Sequence, residues 1–296
     1  MSGVLLREVG FEPRDESPWH FRLFGTLQVA HADTPLELGP PKQRALLAVL
    51  LLRRGLETGI DQLIEALWGE DYPAYAKNLI QKSVSSLRDL FAAEASCEEG
   101  IALEWSAGGY HLDTGNAYVD LYAYEGLASA GISAAREGKI LKAAELLERA
   151  RVMSTGPLAE GLEGPMLQRE RLYRQERFLS DMEVRAELEL ELGRHRNAVP
   201  DLHYAVDKYP LRERFVWLLM LALYRSDRGN EALKLYSDHR ARGIEEMGAE
   251  PGPSLRALHA RLLLQDPELM VLPALQPTTL PRLGTILPTL RPDQLT

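Results

Sequence analysis

Ala74-Tyr-Ala-Lys77-Asn-Leu-Ile-Gln81-Lys-Ser-Val-Ser85-Ser-Leu-Arg88-Asp-Leu-Phe91 is the stretch on which the reading of this chain turns. Its apolar residues Leu79, Ile80, Val84, Leu87, Leu90 and Phe91 recur at intervals of three and four. That period belongs to a helix with one buried side, here predicted over about residues 74–93. Lys77, Asn78, Gln81, Lys82, Ser85, Ser86 and Arg88 lie largely off that side. Cations, amides and hydroxyls together suit phosphates and base edges, although the same pattern alone equally describes a solvated face. The flanking elements decide between the two.

Upstream, Asp61-Gln-Leu-Ile-Glu-Ala-Leu-Trp68 reads as a short amphipathic helix with Leu63, Ile64, Leu67 and Trp68 turned inward. Before it, Lys42 to about Arg54 is apolar over most of its circumference, introduced by Pro40-Pro41 and stopped by Gly55. Phe21 to Val29 alternates as a half-buried strand, and Leu36-Glu-Leu38 suggests a second. Downstream, an acidic turn (Glu94, Glu98, Glu99) leads to Ile101–Trp105, Gly108-Gly109 and Tyr110–Leu112, a short hairpin. Strands, three helices and a closing hairpin form the order of a winged helix of the response-regulator output type. It occupies residues 19–115, behind a loose acidic lead-in over residues 1–18. In such a domain the third helix enters the major groove. Lys77, Lys82 and Arg88 are then the phosphate partners, and Asn78 and Gln81 can read adenine. Lys42 and Arg44 could anchor the flanking backbone, with the wing near Ser106 to Tyr110.

From residue 119 to about 267 strand signals vanish and an internal repeat takes over. Gly193, Ala198, Ala205 and Pro210 stand at offsets 0, 5, 12 and 17; Gly138, Ala143 and Ala150 repeat the first three. These are the small-residue positions of a tetratricopeptide helix pair: glycine in the turn, alanines where two helices meet, proline after the second helix. Trp217, Tyr224 and Gly229-Asn-Glu-Ala232 suggest a third pair that loses the later alanine. Residues 271–296 are proline-rich without amphipathic period, as in a disordered tail or extended arm. The expected fold is mainly α: a winged helix followed by an all-α, tetratricopeptide-like repeat domain.

Composition bounds the function. The chain has 296 residues, 45% hydrophobic and 26% charged, and a single cysteine, Cys97, so no intramolecular disulfide can form. Its longest purely apolar run, Ala45 to Leu52, is eight residues, too short for a membrane span. Glu8, Glu12, Asp15 and Glu16 near the start leave no signal-peptide core, so a cytoplasmic location is expected. The net charge is −9, of which residues 1–118 carry −7. A nucleic-acid site must therefore be a local patch rather than a global field.

Four segments in this order resemble the Streptomyces antibiotic regulatory protein family: Pro41-Lys-Gln-Arg-Ala-Leu-Leu-Ala48, Leu63-Ile-Glu-Ala-Leu-Trp-Gly69, Val84-Ser-Ser-Leu-Arg88 and Gly109-Tyr-His-Leu112. Tyr209-Pro-Leu-Arg-Glu-Arg214, Leu221-Ala-Leu-Tyr-Arg225, Glu231-Ala-Leu233 and Gly248-Ala-Glu-Pro-Gly252 look like the bacterial transcriptional activator domain. The resemblance covers roughly residues 19–267. It implies an activator that binds direct repeats beside a promoter, self-associates on them and recruits RNA polymerase. The chain departs from the family at Ser86 and Asp89, where basic residues are common.

Other features read blandly. Trp68 and Trp105 are core anchors, and Tyr110 packs the hairpin. His195 and His203 lack the further ligands of a zinc site. Gly108-Gly109 is a turn, not a phosphate loop. Glu183, Glu187 and Glu191 form a solvated face. No catalytic constellation, cofactor site or metal site is expected, and no ATP-driven switching. An alternative from another class stays open: an interaction or sensor protein whose winged helix has lost DNA binding and whose repeats hold a partner or ligand.

Overall fold

A computed structural model describes residues 17–94 and 101–271. Most of the lead-in, the acidic turn beyond Glu94 with Cys97, and the proline-rich tail beyond Val271 lie outside the described residues. The chain divides into two compact units, residues 1–126 with 150–177 and residues 127–149 with 178–296.

The first unit opens with strands β1 (Trp19–Arg22), β2 (Gln28–His31) and β3 (Thr34–Pro35). Three helices follow: α1 (Pro41–Leu52), α2 (Ile60–Trp68) and α3 (Ala76–Glu94). The hairpin β4 (Ala102–Ser106) and β5 (Gly109–Asp113) comes next, then β6 (Tyr118–Val119). One sheet has the order β3-β2-β1-β6, with β6 parallel to β1; the hairpin forms the other. This is the strand, three-helix, hairpin order of a winged helix. Residues 45–51 of α1 are all buried, which is why that segment has no apolar period. Trp19 and Phe21 of β1 are fully buried, and both rings meet Phe91 of α3 edge-on.

Two strand expectations need correcting. The alternation from Phe21 to Val29 is not one strand; β1 and β2 pair antiparallel, Phe21 opposite Val29. Between them the backbone finds distant partners. The N–H groups of Leu23 and Phe24 donate to the Asp120 carboxylate at 2.8 and 3.0 Å, and Gly25 N–H donates to Pro157 O at 2.8 Å. Leu36–Leu38 is not a strand either. The chain reverses at Ala32 and Asp33, both at positive φ, and only Thr34–Pro35 pair before it turns toward α1.

The helices beyond β6 are α4 (Asp120–Arg136), α5 (Ile140–Met153), α6 (Pro165–Glu191), α7 (His195–Lys208), α8 (Glu213–Arg225), α9 (Gly229–Met247) and α10 (Pro253–Leu263). A 3₁₀ turn over Pro267–Met270 follows. In the second unit α8 is buried almost all round and packs against α7, α9 and α10. Gly138 and Gly193 sit in the interhelix turns at φ 73° and 71°, where a side chain is strained. Ala143, Ala150, Ala198 and Ala205 are all buried, as the repeat requires. In the third pair Asp227 takes the glycine's place at φ 62°, a conformation aspartate tolerates. Ala232 holds offset 5 there, and His239 replaces the alanine at offset 12.

Glu183, Glu187 and Glu191 are not one solvated face. Glu187 is fully buried and paired with Arg214 at 2.5 Å, while Glu183 holds Arg212 at 2.5 Å. Residues 184–190 are all buried, so α6 is covered on several sides there and its carboxylates must be paired. No helix is long and apolar enough to cross a membrane, and no group of three or more potential metal ligands occurs among the described residues.

Candidate nucleic-acid interface

α3 buries Ala76, Ile80, Ser83, Val84, Leu87 and Phe91. The opposite side leaves Lys77, Asn78, Gln81, Lys82, Ser85, Ser86, Arg88 and Asp89 exposed. At 100° per residue all of these but Ser86, which stands on the opposite flank, fall into two rows. Asn78, Lys82, Ser85 and Asp89 form the row furthest from the core; Lys77, Gln81 and Arg88 form the row beside it. Each row rises about 17 Å along the helix axis. All seven residues expected on this helix are exposed, and six of them share the two rows, with Asp89 set among them and Ser86 apart. An anion in the outer row subtracts from the cationic term that phosphates require.

Arg88 does more than face outward. Its Nε donates to Leu103 O at 2.5 Å, and its guanidinium lies 5.9 Å from the centre of the Tyr110 ring. α3 is therefore tied to the hairpin through this side chain. Tyr110 is only 8% exposed. Its ring meets Trp105 edge-on, and its backbone exchanges hydrogen bonds with Thr58 at 2.8 and 2.9 Å. Tyr110, placed at the end of the wing, thus spends its ring on holding the hairpin, the packing role its sequence position suggested, and leaves little of it for a DNA contact. Gly109 permits that close approach, since a Cβ there would stand 2.7 Å from the Thr58 backbone.

Trp105, expected as a core anchor, is half exposed on β4. Its ring packs edge-on with Tyr110, 4.8 Å between ring centres. Trp68 is only partly buried and receives the Lys42 ammonium at 5.1 Å from the ring centre. Lys42 also donates to Leu67 O at 2.8 Å, at the end of α2, so its charge is used in closing α1 onto α2. Arg44 is partly buried, and its Nε has no hydrogen-bond partner in the structure. The wing turn itself is Ala107-Gly108, both at positive φ. No local sequence signal could have shown the bonds of Lys42 and Arg88, because their acceptors lie 25 and 15 residues away.

Comparison with known proteins finds relatives among transcriptional regulators. The family described as "Transcriptional regulatory protein, C terminal" matches residues 33–112, and "Bacterial transcriptional activator domain" matches residues 119–263. The regulatory protein AfsR of Streptomyces coelicolor is 36% identical over 291 residues, 98% of this chain and 28% of AfsR. The transcriptional regulatory protein EmbR of Mycobacterium tuberculosis is 33% identical over 249 residues, covering 83% of this chain and 64% of EmbR. The regulatory protein DnrI of Streptomyces peucetius is 30% identical over 250 residues, covering 83% of this chain and 92% of DnrI. The chain thus spans 28% of the length of AfsR and 64% of that of EmbR. A solved structure of Mycobacterium tuberculosis EmbR in complex with a low-affinity phosphopeptide superposes with a TM-score of 0.77 at 31% identity. It covers 86% of this chain and 69% of that one.

Proposed function

This chain belongs to the Streptomyces antibiotic regulatory protein family of transcriptional activators, and from that membership we propose that it binds direct DNA repeats beside a promoter and recruits RNA polymerase. The observation that carries the proposal is the exposed side of α3. It gathers two lysines, two amides and two serines opposite a wholly packed side, on the helix that a winged helix lays in the major groove. Lys77 and Lys82 neutralise phosphates, and Asn78 and Gln81 read base edges.

With Arg88 tied to the hairpin and Asp89 in the outer row, one protomer has few cations to spend. Phosphate neutralisation supplies much of DNA affinity, so a single half-site should be held weakly. Two protomers on adjacent repeats double that contribution. Half-sites about 10–11 base pairs apart let both α3 helices meet the major groove from one side of the duplex. The helical repeats then hold the neighbours together or present themselves to RNA polymerase.

The test is selection from a random duplex pool with the full chain at moderate salt, followed by footprinting of the enriched sequence. Two direct repeats protected at that spacing are expected. No enrichment at any salt would favour the alternative, a protein-interaction module that has lost DNA binding.

A further inference from the structure

Of the four tryptophans Trp105 alone is exposed; Trp19 and Trp217 are buried and Trp68 partly so. In the hairpin, Leu103 pairs with Leu112 and Trp105 with Tyr110. Side chains two apart along a strand share a face, so these four lie on one side of the hairpin. Leu103, Tyr110 and Leu112 are buried there, while Trp105, nearer the turn, is 50% exposed.

That side of the hairpin is joined to the open side of α3. Arg88, in the row of Lys77 and Gln81, donates to Leu103 O at 2.5 Å and sets its guanidinium 5.9 Å from the Tyr110 ring centre. Tyr110 in turn meets the Trp105 ring at 4.8 Å between centres. Charge gives this hairpin no hold on DNA. Residues 101–113 contain no lysine or arginine and carry the carboxylates of Glu104 and Asp113. Phosphate neutralisation, the usual source of affinity, is therefore closed to it. An exposed indole offers the other source, apolar area removed from water. On a duplex the C–H faces of the deoxyriboses present apolar area outside the base stack, and a ring held edge-on by Tyr110 can lie against them without turning.

On the reading that α3 occupies the major groove, we propose that Trp105 carries the hairpin's contact with DNA, laying its open ring against deoxyriboses of the flanking backbone. Glu104 does not oppose this contact. Strand alternation sets it on the other face of the hairpin, where its carboxylate lies 3.9 Å from the His111 imidazole. Sugars carry no sequence information, so Trp105 fixes the register and orientation of the protomer and leaves base reading to α3. Its share of the affinity releases no counterions, and added salt leaves it in place. A chain with few cations on α3 thereby keeps hold of DNA at salt concentrations where its phosphate contacts have weakened.

The test replaces Trp105 by benzoylphenylalanine, whose photoexcited ketone inserts into neighbouring C–H bonds, in the full chain bound to the selected duplex. The expected product is a protein–DNA adduct mapped to sugars at the edge of the footprint. In salt titrations Trp105→Ala should lower affinity about tenfold at every salt concentration, with the parent's slope of log K against log salt. Trp105→Phe keeps a ring and should lose less. Circular dichroism and thermal melting check that each variant is folded. A purely structural role for Trp105 would lower Tm and yield no DNA adduct. Adducts confined to protein, within one chain or between neighbours, would overturn the proposal. So would an unchanged affinity of Trp105→Ala, or a loss that flattens the salt slope. A parent that binds no duplex at any salt overturns the reading of α3 and this contact with it. A parent that binds while position 105 yields no DNA adduct overturns this contact alone.

Discussion

Arg88→Ala should weaken the first unit before it weakens any phosphate contact. The change removes the hydrogen bond from Nε to Leu103 O at 2.5 Å. Leu103 is buried, so its carbonyl is left without that donor, at about 1–3 kcal/mol. The guanidinium over Tyr110 adds about 0.5–1 kcal/mol for a partly open site. A loss of about 2 kcal/mol is the central expectation, near the low end because Arg88 itself is exposed. For a unit of this size that lowers Tm by about 4–8 °C. Lys82→Ala supplies the contrast. It touches no packed group, so stability should stay within about 0.5 kcal/mol. Its effect should appear in DNA binding, where the slope of log K against log salt flattens by about 0.9. Arg88→Lys sharpens the comparison, because lysine keeps the charge but not the planar fork. It should retain the parent's salt slope while still melting early. Differential scanning calorimetry and salt titrations on one selected duplex measure both quantities. If Arg88→Ala melts like the parent and flattens the salt slope as Lys82→Ala does, the hairpin tie has been misjudged.

Three further outcomes are expected. Ala205→Leu, at a fully buried position of α7, should overpack that helix contact and cost about 1–3 kcal/mol in chemical denaturation; an unchanged midpoint would remove the repeat's physical basis. Asp120 is buried, which raises its carboxyl above the ordinary range despite N–H donors from Leu23, Phe24 and Leu121. Stability from its neutral form is complete below the unfolded carboxylate range and is lost as pH rises through the raised folded value. Asp120→Asn cannot ionise, so its stability relative to the parent should improve as pH rises from about 4 toward 7; a pH-independent difference would contradict this. Lengthening the spacer between selected repeats by about half a helical turn should abolish tight binding, and gel shifts unaffected by the insertion would argue against paired protomers.

How much of this was legible in the sequence depended on how local each cause was. α1, α2 and α3 were readable to within a few residues because Pro40-Pro41 and Gly55 bound α1 and the apolar spacing of α2 and α3 is written within each helix. The turn glycines and paired alanines of the repeats were readable for the same reason. The break between β1 and β2 was not, since Leu23 and Phe24 are satisfied by a carboxylate 97 and 96 residues away. Glu187 resembled a solvated helix charge until the burial of α6 and the position of Arg214 were known. On the candidate interface, exposure along α3 followed from its period, while the duties of Lys42, Arg88 and Tyr110 depended on carbonyls and rings brought in by folding. Trp105 misled because its residue type suggests burial, while the end of β4 that carries it is exposed from Glu104 to Ser106.

The central claim is that the open side of α3 reads DNA sequence, and one measurement addresses it most directly. Binding of the parent and of Gln81→Ala is compared across every single-base variant of the selected duplex at fixed salt. The account predicts that discrimination collapses at one base pair in each half-site, by about 1–3 kcal/mol, and is kept elsewhere. A uniform loss across all variants, or full discrimination retained at every position, would contradict it.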